Sequence, residues 1–181
     1  MNRPPAPKGV LYVIVCAAGA APTAQDLVAA ALDEGWEVQV VATPSALGFF
    51  DVAAFEELTG RPVKSRYRRP DEPKPPRADA IVVAPATYNT VNKFAQGIAD
   101  TYALGLLAEA PGLGIPVVVV PFVNAALASR LPFLRGVETL RAEGVRVLLD
   151  PANEAWNGSK PWRTALAAVE ELGRLRRDDT G

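Results

Sequence analysis

The chain reads Asp79-Ala80-Ile81-Val82-Val83-Ala84, then Pro85-Ala86-Thr87-Tyr88-Asn89-Thr90-Val91-Asn92-Lys93-Phe94-Ala95-Gln96-Gly97-Ile98-Ala99-Asp100. The first part is an apolar run, the pattern of a strand buried on both faces. The second is a turn of small and hydrogen-bonding residues that feeds a helix. In an open α/β sheet, ligands bind at such carboxyl ends of strands. Small residues let a planar polar ligand come close to the backbone. The Asn89 amide and the hydroxyls of Thr87, Tyr88 and Thr90 supply groups to orient it.

Strands and helices alternate on either side, with no internal repeat. Val10 to Cys16 is a continuous apolar run and predicts a buried parallel strand. Ala17 to Thr23 is a small-residue turn. Thr23 is placed to cap a helix over Ala24 to Glu34, which Gly35 stops. Trp36 to Val41 predicts a second strand, ending at Ala42-Thr43-Pro44-Ser45. A short helix follows, then one over Val52 to Leu58 closed by Gly60. Ala80 to Ala84 predicts a strand, and Thr90 to Ala108 a helix broken near Gly97. Strands are also predicted at Ile115 to Val120 and Val145 to Leu149. Helices are predicted at Asn124 to Ala128, Phe133 to Glu143 and Trp162 to Arg177. Strands alternating with helices predict a Rossmann-like, doubly wound parallel sheet in three α/β/α layers.

The 181 residues suffice for one domain with a full core, and 49% are hydrophobic. We expect a domain over residues 9–177, a disordered Pro-rich tail at 1–8 and a short tail at 178–181. The formal net charge of −1 gives no global support for binding nucleic acid. The basic cluster Lys64 to Arg69 reads as a solvated loop. It opens the stretch Arg61 to Arg77, which holds Pro62, Pro70, Pro73, Pro75 and Pro76. Connections of that length are functional, intersubunit or disordered. The Asp150 to Pro161 segment, with Trp156, Asn157 and Lys160, reads as a tether for the last helix or as a cover for a site. The apolar run Gly9 to Ala21 is too short to span a bilayer, so no membrane partner is expected. The one cysteine, Cys16, allows no internal disulfide and fits a reducing cytoplasm. It reads as a small core residue. There is no histidine, which excludes a Ser-His-Asp triad and a His-ligated metal. No metal ligand set is expected.

A Gly-x-Gly-x-x-Gly pattern is absent, so a dinucleotide site has weak support. A single phosphate needs only free N–H groups and a few hydroxyls. Gly19, Thr23, Thr43 and Ser45, at the ends of two neighbouring strands, fit that need. They also fit plain turn and cap roles.

Pro85-Ala86-Thr87-Tyr88-Asn89-Thr90 resembles the Pro-Ala-Ser-Ala-Asn-Thr signature of the flavin-containing cysteine decarboxylases. That family includes phosphopantothenoylcysteine decarboxylase and the peptidyl-cysteine decarboxylases of lantibiotic biosynthesis. Asn92 to Asp100 looks like the peptidyl-cysteine version. Pro121-Phe122-Val123-Asn124-Ala125-Ala126-Leu127 resembles the family's Pro-x-Met-Asn-x-x-Met-Trp motif, matching strictly at Pro121 and Asn124. The resemblance runs from Val10 to about Pro151. It implies an FMN-binding protein, with the phosphate near Ala18, Gly19, Thr43 and Ser45. The isoalloxazine would lie near Ala84, Pro85, Ala86, Thr87 and Asn89. It implies homotrimers or dodecamers with FMN between subunits, and a small thiol or peptide substrate. The implied reaction is oxidation of a substrate cysteine by hydride loss from Cβ, followed by loss of CO2. Asn89 and Asn124 are amides that donate to a carboxylate without titrating. Asn124 fits a helix N-cap equally well.

Two departures matter. The family's active-site histidine falls near Asp71 here, and an Asp, with ordinary pKa about 3.9 against about 6.5, needs desolvation to serve as a base. No cysteine follows Cys16 to return a proton to the enethiol. That disfavours the pantothenate pathway, whose decarboxylase is often fused to a synthetase domain not found in these residues. Peptidyl-cysteine decarboxylation is the favoured reading. The alternatives are an FMN-binding or regulatory subunit without catalysis, and a flavin prenyltransferase-like enzyme, whose typical Pro-Cys-Ser turn is absent.

Overall fold

Residues 7–149 and 160–179 are described by the computed structural model. Five parallel strands, Val10–Val15 (β1), Glu37–Ala42 (β2), Ala80–Ala86 (β3), Val117–Pro121 (β4) and Arg146–Val147 (β5), form one sheet. Their order is β2-β1-β3-β4-β5. Along each strand alternate side chains enter opposite cores, which is why the runs are apolar throughout. Leu11, Val13, Val38, Val40, Val82 and Val118 face one core. Ala24–Asp33 (α1), Val52–Thr59 (α2) and the helix Lys160–Asp179 (α7) cover that face. Tyr12, Ile14, Ile81, Val83, Val117 and Val119 face the other. Tyr88–Ala95 (α3), Tyr102–Glu109 (α4) and Leu131–Ala142 (α6) close that side. Ala125–Ala128 (α5) is a single exposed turn. Each fully buried Val or Leu here contributes about 1.5–3 kcal/mol of transfer free energy.

The three-layer expectation holds, with local differences. The helix expected over Thr90 to Ala108 is two helices, because Gly97, at φ 69°, ends α3 left-handed. The third strand runs two residues further, through a cis Ala84–Pro85 peptide. The last strand is only Arg146–Val147, paired with β4 at the sheet edge. Gly60, at φ 65°, closes α2 as expected. At the amino end, the Lys8 N–H donates to Gly35 O at 2.9 Å, and its ammonium bonds Glu170. Residues 1–6, 150–159 and 180–181, including Trp156 and Asn157, lie outside the described residues.

The Arg61 to Arg77 loop is pinned to the α4 side of the sheet. Lys64 bridges to Val41 in parallel, a one-residue strand where one was expected near Val63. Tyr67 meets Tyr102 edge-on at 5.2 Å. The Tyr12 hydroxyl donates to Pro76 O at 2.7 Å, and Arg66 clamps Glu72 at 2.7 Å. That guanidinium holds the Glu72 carboxyl down at about 2. No described helix is long and apolar enough to cross a membrane.

Candidate functional site

All five strands point one way, so their carboxyl ends and the turns that follow share one rim of the sheet. Backbone bonds lock these turns together. Thr43 N–H donates to Val15 O at 3.0 Å, Cys16 N–H to Pro85 O at 3.1 Å and Phe122 N–H to Ala86 O at 2.8 Å. The register between β3 and β4 shifts between Val83 and Ala86, which lifts the Pro85 region out of the regular ladder.

At the β1 and β2 end the rim is rich in unused donors. Ala18, Ala21 and Thr23 N–H groups bond within the turn. The Gly19, Ala20 and Ser45 N–H groups donate to no described residue, nor do the Thr43 and Ser45 hydroxyls. Gly19 is exposed, and a Cβ there would meet nothing within 4 Å. Convergent backbone N–H groups with hydroxyls beside them suit a phosphate monoester. The donor chemistry therefore fits the phosphate of a mononucleotide. Thr23 does not cap α1 as expected. It lies in the short helical turn before α1, with helical backbone angles, and its hydroxyl donates back to Ala20 O at 2.7 Å.

At the β3 end the structure divides the expected residues in two. Ala84 and Ala86 are fully buried, facing opposite cores, and Pro85 is buried between them. They form the floor of the rim and offer it little beyond backbone. Thr87 is the N-cap of α3, its Oγ1 accepting the Thr90 N–H at 3.3 Å. Asn89 stands exposed on the first turn of α3, its amide bonded to no described residue. Tyr88 turns inward and stacks on Phe133 at 5.9 Å. At the β4 end Asn124 caps α5, its Oδ1 accepting the Leu127 N–H at 2.9 Å. That bond orients the side chain so that the NH2 donors remain outward.

Asp71 makes no described contact with these turns. It is exposed on the Arg61 to Arg77 loop. Cys16 is buried as expected, and burial pushes its thiol upward, away from thiolate. Its link to Thr90 (Sγ to Oγ1, 3.4 Å) is not legible in the sequence, because the two residues are 74 positions apart. A cleft of about 550 Å³ lies at the opposite end of the sheet, between Lys8, Asp79, Pro116 and Glu170, away from these turns. No cluster of three His, Cys, Asp or Glu among the described residues could hold a metal ion.

The fold has known counterparts. The FMN-dependent cysteine decarboxylase TvaF of thioviridamide biosynthesis superposes with a TM-score of 0.73 at 25% identity, covering 91% of this chain and 98% of that one. The cypemycin decarboxylase CypD gives 0.73 at 25% identity, covering 93% and 95%. The coenzyme A biosynthesis bifunctional protein CoaBC of Mycobacterium tuberculosis is 33% identical over 144 residues, 76% of this chain. The chain spans about a third (33%) of the length of that relative. The flavoprotein family model matches residues 3–175, and with that match the chain belongs to the Flavoprotein family.

Proposed function

We propose that the chain binds FMN along this rim and decarboxylates, oxidatively, a substrate that carries a terminal cysteine, the peptidyl-cysteine type ahead of phosphopantothenoylcysteine. One observation carries the reading. Unused N–H and hydroxyl donors at Gly19, Ala20, Thr43 and Ser45 sit on the same rim as two amides, Asn89 and Asn124, with donors facing outward. A phosphate at one end and a carboxylate at the other match that distribution.

In this reading the Ala18 to Ala20 turn and Thr43 and Ser45 hold the phosphate, with Thr23 fixing the Ala20 carbonyl. The Ala84-Pro85-Ala86 floor and the Thr87 to Asn89 edge support the flavin ring. When bound, FMN supplies the two-electron hydride acceptor that an oxidative decarboxylation needs. Asn89 and the outward NH2 of Asn124 hold the departing carboxylate against it. No histidine is present to act as base. The substrate thiol, ordinarily near 8.5, must therefore ionise on its own, and turnover climbs with pH toward about that value. Homo-oligomerisation, as trimer or dodecamer, and a cytoplasmic location belong to the same proposal.

The test is direct. The purified chain is loaded with FMN and followed by flavin absorbance. Cysteine-terminated peptides and phosphopantothenoylcysteine are then offered in turn, with CO2 release as the readout. A protein that cannot be loaded with FMN defeats the proposal. CO2 release only from phosphopantothenoylcysteine would move it to the second substrate, in keeping with the likeness to CoaBC. A second reading, an FMN-binding protein without catalysis, is favoured by the exposure of Asp71 and the lack of histidine. Flavin that binds and never bleaches with either thiol substrate would establish it.

A further inference from the structure

Thr90 is a polar residue buried to 5% exposure on the first turn of α3. Its hydroxyl oxygen accepts from two sides. The Cys16 Sγ–H approaches at 3.4 Å from the end of β1, and the Thr87 Oγ1–H at 3.0 Å from the cap of α3. Its own N–H returns to Thr87 Oγ1 at 3.3 Å. The backbone repeats the connection, since Cys16 N–H donates to Pro85 O at 3.1 Å. One buried hydroxyl therefore joins the strand end that leads into the donor-rich Ala17 to Ala20 turn to the cap of the Thr87 to Asn89 edge.

Resting on the flavin-site reading above, we infer that Thr90 is a positioning residue that fixes the distance and tilt between the phosphate turn and the ring-supporting edge. Buried itself, it offers no group to a ligand. It acts through Cys16 on one side and Thr87 on the other. Burial keeps the Cys16 thiol protonated and so able to donate, which burial of an ionised thiol would prevent. A hydrogen bond in a dry site is costly to lose on one side only, because the surviving donors stay unpaired. The rim without the Thr90 hydroxyl is thus the same surface with a looser span.

Thr90→Val keeps the shape and the backbone N–H and removes only the hydroxyl. Amide hydrogen exchange on the flavin-free chain reads the span by itself. Exchange at the hydrogen-bonded amides of Cys16, Ala18 and Ala21 on one side and Thr90 and Val91 on the other is expected to rise about tenfold in Thr90→Val, and to return to the parent rate in Thr90→Ser. With FMN added, Kd is expected to rise about tenfold in Thr90→Val and the visible circular dichroism of bound flavin to change, again with rescue by Ser. Cys16→Ala, which removes a donor from the far side, should give the same pattern at the same amides if Thr90→Val folds poorly. Exchange rates in both variants equal to the parent overturn the inference. Failure of the parent to bind FMN defeats the flavin reading instead, and the exchange result still decides the role of Thr90.

Discussion

The Phe122 N–H donates to the Ala86 carbonyl at 2.8 Å, so the turn after β4 is moored to the turn after β3. Asn124 and Asn89, one on each turn, are consequently held on one rigid edge. The capping bond from Leu127 N–H to Asn124 Oδ1, 2.9 Å, fixes which face of the amide looks outward.

Asn124 can be split into its two roles. Asp at this position keeps an oxygen for the Leu127 N–H and loses the NH2 donors. Asn124→Asp is expected to leave the melting temperature near the parent and raise KM for a carboxylate substrate at least about tenfold. Asn124→Ala loses the cap as well, at a cost of about 1 kcal/mol. Parent-like KM in the Asp variant would remove Asn124 from substrate binding.

Gly105 makes room for the loop strap. A Cβ there would collide with the Tyr67 hydroxyl, the free end of an exposed side chain. Gly105→Ala should gain up to about 1 kcal/mol of helix propensity while evicting Tyr67 from Tyr102. Global stability is expected to hold or rise, while limited proteolysis between Arg61 and Arg77 speeds up. A loop as resistant as in the parent would show that Tyr67 does not pin it.

Gly136 works differently. A Cβ there would lie 3.2 Å from Asn92 Oδ1 and 3.4 Å from the Ala95 Cβ, on the packed seam between α6 and α3. Asn92 Oδ1 is already buried without a hydrogen-bond partner among the described residues. Overpacking should outweigh the propensity gain, so Gly136→Ala is expected to destabilise by about 1 kcal/mol in urea unfolding. An unchanged or higher midpoint would mean that α3 yields freely.

The Arg66–Glu72 clamp predicts an acid-sensitive loop. The folded carboxyl is held from an ordinary 4.5 down to about 2 by the Arg66 guanidinium, with help from the Arg69 N–H. A depressed pKa stabilises above the unfolded value and is lost as pH falls through the folded one. Loop protection against an acid protease should therefore be full above 4.5 and fade toward about 2. Glu72→Gln should show no such fade over the same range.

Much of this fold is legible in the sequence because a parallel strand buried on both faces is an uninterrupted apolar run, as at Val10 to Val15. Glycines with forced conformations mark helix ends, as Gly60 and Gly97 do. The capping role of Asn124 is legible for the same local reason. What escapes is contact across distance. Ala84 and Ala86 look like ligand-facing residues in a turn, yet the sheet continues through Pro85 and turns both side chains into the cores. Thr23 has cap chemistry, but the preceding short helical turn takes its hydroxyl. The weight on Thr90 depends on Cys16, which no periodicity links to it.

The two margins of the sheet carry a final consequence. On the β2 margin, Lys64 takes the Val40 carbonyl and the Ala42 N–H, at 3.1 and 2.8 Å. Gln39 occupies the Pro62 carbonyl at 2.9 Å, and Arg61 and Glu37 pair in front at 2.5 Å. On the other margin β5 is two residues long. Among the described residues, neither margin offers a long ladder on which a foreign strand can zip. If the proposed function holds for a peptide substrate, its terminal residues at the rim, rather than main-chain pairing along its length, are expected to carry recognition.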